Sequence, residues 1–314
     1  MKRHNLNIKE RGIAVISAML IAALVASISS YLLFEHQMLI NRIENHFSAT
    51  QARWMSNAAV EWSRTIMAED AKLGQIDHLK EPWATKLPAT SFEAGTIRGF
   101  ILDQQAFFNL NNLSRSTMSH DNESQALKDF IAQAGGNTGA VDALVDWIDK
   151  DSEVTLPNGA EDNTYIAQAL SYKSANQLLT EIGNLSRVLG FTNEILARVS
   201  QYSVVLPEIT PVNINTASAE VLRFTFPELT QFQVESIVEQ RNKKSFENVG
   251  EFIKMLSDVS RLSSNKISAN QVSVGSNYFL VNVQARYGKT TINTSALLRR
   301  NNSGWPQIIW KKYS

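Results

Sequence analysis

The chain has 314 residues, with 30 Lys and Arg balanced by 30 Asp and Glu, five His and no Cys. The balanced charge argues against a nucleic-acid-binding protein, because such proteins carry a basic excess. Without cysteine there are no disulfides, so packed cores, subunit contacts or a bound metal must supply the stability. The histidines form no i, i+4 pair, which argues against a zinc site.

An uncharged apolar segment, residues 13–34, follows a basic stretch that ends in Gly12. At about 1.5 Å per residue, its roughly 22 residues span the hydrocarbon layer of a membrane. The preceding stretch holds four Lys or Arg and one acid, which predicts a cytoplasmic amino end and a C-terminal domain outside. A cleaved secretory signal is the alternative, but its apolar core usually has about 7 to 15 residues. We therefore expect a retained membrane anchor.

Helical periodicity continues beyond the apolar segment to about Asp70. Apolar residues recur at spacings of three and four among Arg, Glu and Asn, as in an amphipathic helix. One helix on the order of 85 Å is predicted. Its exposed stripe exceeds what one small sheet can cover, which indicates a protein interface. The predicted interface residues are Ile43, Phe47, Trp54 and Trp62.

The rest of the chain alternates between strand and helix patterns. Residues 100–103 and 106–110 predict a hairpin around Gln104 and Gln105. Residues 114–205 are helical in pattern, and further helices are predicted to begin near Ser218, Thr230 and Val249. Three strands are predicted at the end of the chain, over residues 278–285, 290–298 and 307–312. This order favours an α+β fold in which the long N-terminal helix packs on an antiparallel sheet, with a large helical domain inserted between strands.

A basic leader, an apolar helix that continues into a soluble helix, and a sheet packed on that helix together resemble type IV pilins and type II secretion pseudopilins. Such proteins usually carry glutamate at the fifth position after the leader, where this chain has Ser17. The strings DWIDKD at 146–151, GAEDNTY at 159–165 and NINTAS at 213–218 complete the pattern. Over nearly its whole length the chain resembles the minor pseudopilin K family of type II secretion systems.

The resemblance implies a domain plan. Its parts are a prepilin leader at 1–12, a transmembrane helix at 13–34, a pilin-like helix with the first strands at 35–112, an inserted helical domain at 113–270 that includes a helix-hairpin-helix-like segment at 213–255, and the last strands of the pilin-like sheet at 271–314.

The resemblance also implies a function, at the tip of the pseudopilus in the inner membrane. The family would initiate or cap pseudopilus assembly for export of folded periplasmic proteins across the outer membrane. The implied partners are the I-type and J-type minor pseudopilins, the major pseudopilin, the prepilin peptidase and the inner-membrane assembly platform, with secreted proteins as further candidates. The peptidase would cut between Gly12 and Ile13, and the new amino group would be methylated. The alternative is a pilin-like tip protein of a type IV pilus or a DNA-uptake machine.

Ser17 favours the tip of a fibre over its shaft. A carboxylate within the bilayer is costly and persists by pairing, in pilin-like fibres with the amino terminus of a neighbouring subunit. A subunit with nothing above it has no such partner. The alternative is that Ser17 is an ordinary residue of a single-pass membrane helix.

An acidic segment predicts a metal site, because Asp149, Asp151 and Glu153 alternate and Glu161 and Asp162 follow. Calcium takes six to eight oxygen ligands, and carboxylates at alternating positions suit it. The EF-hand pattern is only partly met, since its glycine is missing and Glu161 comes one residue late. The resemblance implies calcium in the helical domain. A solvated acidic loop is the alternative.

Residues 213–255 also resemble the helix-hairpin-helix of competence-type DNA receptors. Those modules bind phosphate through the backbone amides of a glycine-containing hairpin, whereas residues 226–230 lack glycine and include Glu228. We therefore predict a structural subdomain in which Asn215 or Thr216 caps a helix. The sequence has no nucleophile elbow, catalytic His arrangement or phosphate-binding loop, so we expect no enzymatic activity.

Overall fold

The structure, a computed structural model, describes residues 8–92, 95–114, 118–260, 269–301 and 304–314. Its first element is one helix of 66 residues, α1 (Ile8–Leu73), about 99 Å long. Among the described residues, α1 is the one helix long and apolar enough to cross a membrane. Residues 12–47 are exposed along it, whereas Ala52, Val60 and Met67 are fully buried. The predicted long helix is confirmed.

Shorter elements follow α1 in a mixed order. In chain order they are β1 (Leu87–Phe92), β2 (Gly95–Asp103), β3 (Phe108–Asn109), α2 (Met118–Gln133), α3 (Gly139–Ile148), α4 (Asp162–Ile166), α5 (Asn193–Val199), β4 (Ser203–Val204), β5 (Val212–Asn213), α6 (Ala219–Thr225), α7 (Gln231–Lys243), α8 (Val249–Ser260), β6 (Val272–Ser273), β7 (Tyr278–Tyr287), β8 (Thr290–Arg299) and β9 (Gln307–Tyr313).

The main sheet has the strand order β1-β2-β7-β8-β9, and every neighbouring pair is antiparallel. The soluble half of α1 packs on this sheet through a core that includes Val60, Met67, Val281 and Leu298. Because β2 and β7 are neighbours in the sheet but far apart in the chain, the helical domain is inserted between them. The predicted α+β fold and the three C-terminal strands are therefore confirmed.

The predicted hairpin around Gln104 and Gln105 is wrong. Strand β2 lies between β1 and β7, while β3 pairs in parallel with β4 outside the main sheet. Residues 104–106 form a short 3-10 turn. The side chain of Gln105 donates to the carbonyl of Pro211 (3.0 Å) and accepts from the backbone N–H of Asn277 (2.6 Å). Gln105, one of the two residues that suggest a local turn, is therefore bound to residues far along the chain.

The described residues of the inserted domain form two apolar cores. The first includes Phe108, Leu144 and Trp147, and the second is built on α6, α7 and α8 around Val234 and Phe252. These three helices begin where the sequence predicts. Their caps differ, however, as α6 and α7 are capped by the hydroxyls of Ser218 and Thr230.

The predicted cap at Asn215 or Thr216 is wrong. The Asn215 amide group exchanges two hydrogen bonds with the backbone of Phe246, of 3.0 and 2.9 Å. The Thr216 hydroxyl donates to Asp103 Oδ2 (2.6 Å). Both side chains hold the subdomain to distant segments, which a local capping pattern cannot indicate.

A buried polar joint, formed by Asp70, Asp77, Asp103, Ser276 and Arg300, lies where the insertion leaves and re-enters the sheet. Asp103 ends β2, and its Oδ2 accepts from the Ser276 hydroxyl (2.7 Å), just before β7. Arg300 follows β8 and donates to Asp70 of α1, to Asp77 (2.5 Å) and to the Ser276 carbonyl (2.7 Å). The long helix, the sheet and both ends of the insertion therefore meet in one network.

Burial raises the pKa of two acids of this joint. It is the largest cause that raises the pKa of Asp70 to about 6, followed by repulsion from Glu81 and opposed by Arg300. Burial also raises the pKa of Asp103 to about 6, against the hydrogen bonds from Ser276 and Thr216. Protonation of both acids is therefore favoured in the folded state relative to the unfolded chain.

Candidate metal centre

The acidic segment begins where α3 ends. All ten residues of α3 are buried, so the helix is held in the first core along its full length. Asp149 leaves the helical conformation at φ −77° and ψ 178°, while its N–H still donates to the Val145 carbonyl. The loop then runs to Glu161, which is extended and immediately precedes α4. A rigid helix therefore fixes the position of the first acid of the loop.

Three of the predicted ligands come together in this loop. Asp149, Asp151 and Glu161 each offer a carboxylate oxygen, and these oxygens lie within 4.8 Å of one another. Burial, then repulsion from Asp151, Asp146 and Glu161, raises the pKa of Asp149 to about 7. Burial also raises the pKa of Glu161. These shifts mean that burial and mutual repulsion disfavour the charged form of these carboxylates, a cost that a bound cation would offset.

Open acceptor oxygens are a second feature of the cluster. Asp149 Oδ1, Glu161 Oε1 and Asn176 Oδ1 are buried and accept no hydrogen bond from the part of the chain that the structure describes. Asn176 lies beside the cluster, since its Nδ2 donates to the Asp151 carbonyl (3.2 Å). A buried acceptor without a partner is costly. Oxygen acceptors of this kind are the ligands that a hard cation prefers.

Asn176 is a residue that sequence reasoning missed. The segment between Glu161 and Asn176 is mostly irregular. No periodic spacing therefore connects the two residues in the sequence. Its backbone has φ 44°, a left-handed conformation that asparagine tolerates better than most residues. Its role becomes visible only when the chain folds back onto Asp151.

Asp146 and Gly159 hold the loop against α3. Asp146 is fully buried, and its carboxylate accepts the Thr155 N–H at 3.0 and 3.2 Å. A Cβ atom at Gly159 would overlap Asp146 Oδ2 and the backbone of Thr155. Glycine therefore permits the close approach that positions the loop.

The other two predicted ligands lie apart from this group. Glu153 is exposed, and its N–H donates to Asp151 Oδ1 (2.9 Å). Asp162 accepts from Lys173 Nζ (2.9 Å) and from the Ser174 hydroxyl (2.8 Å). The Lys173 hydrogen bond is the largest cause that lowers the pKa of Asp162. Asp162 already has a cationic partner, so the geometry favours the three clustered acids.

The residues predicted for processing lie near the start of α1, while residues 1–7 of the predicted leader lie outside the described residues. Gly12 and Ile13 are helical and exposed, and a Cβ atom at Gly12 would meet no described atom within 4 Å. The Ser17 hydroxyl donates to the Ile13 carbonyl of its own helix (2.9 Å). Ser17 therefore satisfies its hydrogen-bonding group without a neighbouring subunit.

The four predicted interface residues are all more than half exposed on α1. Ile43 is 60%, Phe47 53%, Trp54 68% and Trp62 53% exposed. The Phe47 ring makes an edge contact with Tyr287 at 6.1 Å between centroids. Phe47 therefore lies at the edge of the contact between the helix and the sheet, and more than half of each of the four side chains is left exposed.

Three backbone N–H groups of the hairpin between α6 and α7 are bonded within the subdomain. The N–H groups of Phe226 and Leu229 donate to the carbonyls of Leu222 and Phe226. The N–H of Thr230 donates to Gln233 Oε1 (2.8 Å). Pro227 has no N–H group. Because these groups are engaged within the subdomain, the geometry favours a structural role over nucleic-acid binding.

Two models of the family described as type II secretion system (T2SS), protein K, match the inserted domain, over residues 106–208 and 212–275. Together they cover more than half of the chain. The chain belongs to the type II secretion system protein K family. Members of this family are structural pseudopilins of the secretion apparatus. Helix α1, the one helix of the described residues that is long and apolar enough to cross a membrane, is consistent with an inner-membrane anchor.

Relatives match along almost the whole length. Type II secretion system protein K of Pseudomonas aeruginosa is 29% identical over 313 residues, covering 96% of this chain and 92% of that protein. The protein K of Pectobacterium carotovorum subsp. carotovorum is 28% identical, covering 97% of each. The fold is similar to a chain in the crystal structure of the GspK-GspI-GspJ complex of enterotoxigenic Escherichia coli, with a TM-score of 0.74, 24% identity and coverage of 87% of this chain and 99% of that chain.

Proposed function

We propose that this protein is the minor pseudopilin at the tip of the type II secretion pseudopilus, where it initiates or caps assembly. The observation that carries the proposal is the match to the protein K family. Helix α1 adds support, because all of its residues from 12 to 47 are exposed. The similar fold in the GspK-GspI-GspJ complex supports I-type and J-type minor pseudopilins as its partners. The amino end would face the cytoplasm and the folded domain the periplasm.

The tip position is supported by Ser17 and by the bulk of the inserted domain. The Ser17 hydroxyl is bonded within its own helix, so it makes no demand on a subunit above it. A charged residue at this depth would need such a partner. The insertion between β2 and β7 adds a large body beside the sheet, which would obstruct regular stacking along a shaft.

We expect the exposed aromatic residues of α1 to bind the I-type and J-type partners. Replacing Trp54 and Trp62 with Glu should reduce their co-purification with the full chain at least 10-fold, because large aromatic side chains carry much of the binding energy of an interface. Leu79 is also exposed but lies outside α1. Replacing Leu79 with Glu is therefore the control and should leave the yield of both partners unchanged.

The location of the protein tests the tip assignment separately. A gold label on the periplasmic domain should appear at one end of each assembled fibre in electron micrographs. Labels at regular intervals along the fibre would contradict the tip position and would favour an ordinary shaft subunit.

We also propose that a prepilin peptidase cuts between Gly12 and Ile13 and that the new amino group is methylated. Intact-mass measurement of the membrane form should give a chain that begins at Ile13 and carries one additional methyl group. Gly12→Asp should abolish processing and assembly, since the basic leader ending in glycine is the signal for the cut. A mature chain that begins at another residue would contradict the proposal.

A further part of the proposal is that the acidic loop binds calcium and holds the inserted domain together. The support is the group of open oxygens on Asp149, Glu161 and Asn176, with Asp151 in the same cluster. Asp149, Asp151 and Glu161 would ligate the ion through carboxylates and Asn176 through its amide oxygen. Calcium would supply the positive charge that this cluster lacks.

A further inference from the structure

A cavity opens between the two parts of the inserted domain, where α2 and α6 meet. Its volume is about 150 Å³, and its lining includes Phe130, Tyr202 and Phe224. This volume is smaller than the roughly 300–1,000 Å³ of sites for drug-sized ligands. The cavity is therefore of a size to receive a single side chain.

Aromatic rings form much of the cavity wall. Phe130 packs on Tyr202 with ring centroids 5.5 Å apart and on Phe224 with centroids 4.9 Å apart. Phe224 is buried, whereas Phe130 and Tyr202 are half-buried. The faces of aromatic rings carry partial negative charge and attract cations.

The charged residues at the rim favour the same kind of ligand. Asp129 and Glu220 line the cavity together with Arg223. Arg223 Nη1 donates to Gln231 Oε1 (3.0 Å), a residue outside the lining, and Asp129 Oδ1 accepts from Gln125 (2.7 Å). The lining therefore holds two carboxylates, three aromatic rings and one guanidinium, so its formal charge is negative.

We propose that this aromatic pocket receives an arginine or lysine side chain from a partner protein. The cationic head would lie against Phe130 and Tyr202, while Asp129 and Glu220 would pair with its charge. The aliphatic stem of such a side chain would cover apolar surface at the mouth. This pocket is separate from both the acidic loop and the exposed aromatic stripe of α1, so the proposal does not depend on the tip assignment.

Saturation-transfer NMR on the full chain in detergent tests the pocket. N-acetyl-arginine methylamide should show transfer to its δ-methylene protons and bind at least 5-fold more tightly than the citrulline analogue, which has the same shape but no charge. Asp129→Asn combined with Glu220→Gln should weaken binding of the arginine probe about 10-fold, and Phe130→Leu should weaken it several-fold. Asp121→Asn, at an exposed acid of the same helix, is the matched control and should leave binding unchanged.

Three results would overturn the proposal. Equal binding of the arginine and citrulline probes would show that charge is not recognised. Preferred binding of N-acetyl-aspartate methylamide would show that Arg223 determines the ligand. Binding of tetramethylammonium without binding of the arginine probe would identify a small free cation as the occupant. The comparison of probes on the unmodified protein needs no variant, so it is decisive even if a substitution disturbs folding.

Discussion

Chelation of calcium is expected to lower the melting temperature of the full chain by roughly 5–10 °C. An ion present at about 100 times its dissociation constant stabilises the folded state by about 2.7 kcal/mol. Each kcal/mol moves Tm by about 2–4 °C in domains of roughly 150–250 residues. The effect is expected to be large because, without a cation, the crowded acids Asp149, Asp151 and Glu161 repel one another and leave buried oxygens without partners.

Circular dichroism melts in detergent, with calcium and with chelator, measure this effect. Asp149→Ala combined with Glu161→Ala should abolish the calcium-dependent rise in Tm. Asn176→Ala should weaken it, and this variant tests a ligand that only the structure indicates. An unchanged melt after chelation would contradict the proposed site.

The same measurement separates the two sets of candidate ligands. Glu153→Gln and Asp162→Asn should retain the calcium response, because Glu153 is exposed and Asp162 is bound by Lys173 and Ser174. Loss of the response in either variant would instead favour the wider ligand set that the sequence pattern predicts. Gly159→Ala should lower Tm in either condition, since its added methyl would overlap Asp146.

Local sequence patterns predict the elements of this fold whose residues interact with near neighbours. The long helix and strands β7 to β9 follow from periodicity, which each segment carries in itself. Strand β1 is missed because Pro88 and several polar residues weaken its pattern. The turn at Gln104 and Gln105 is misassigned because both residues are buried and Gln105 is held by Pro211 and Asn277, which are remote in the chain. Composition alone gives no measure of such long-range burial.

The sequence likewise predicts only some residues of the candidate metal centre. Alternation of acids predicts Asp149 and Asp151, and the following carboxylate Glu161 completes the cluster. Asn176 joins the cluster through a hydrogen bond from its side chain to the Asp151 carbonyl, and one asparagine in an irregular segment has no distinguishing pattern. The buried polar joint is harder still to predict from the sequence, since Arg300 and Asp70 are 230 residues apart.

Replacing Arg300 with Met is expected to destabilise the protein by about 3–5 kcal/mol, the cost of leaving one side of a buried ion pair uncompensated. The guanidinium is 6% exposed and contacts Asp70 and Asp77, whose side chains are 9% and 1% exposed. It also lies over the Phe279 ring at 4.8 Å. Without it, two buried carboxylates would face each other, and the link between α1 and the Ser276 carbonyl would be lost.

The loss of stability in Arg300→Met should depend on pH. The pKa of Asp70 is raised to about 6 from 3.8, and Arg300 acts to lower it, so removing Arg300 should raise it further. A carboxyl group with a raised folded-state pKa favours folding below pH 3.8, and this contribution is lost as pH rises through about 6. Protonation of Asp70 in acid removes its uncompensated charge and so reduces the destabilisation of the variant. The difference in stability between variant and parent should therefore be smaller at pH 5 than at pH 8.

Arg299→Met provides the matched control, because Arg299 is the adjacent residue and pairs with Glu208 at a partly exposed position, with side chains 38% and 42% exposed. Pairs of this kind contribute about 0–1 kcal/mol, so its effect on chemical denaturation should be small at both pH values. Equal losses in the two variants would contradict a special role for the joint. A loss in Arg300→Met that does not shrink in acid would show that packing on Phe279, and not charge compensation of Asp70 and Asp77, is what Arg300 contributes.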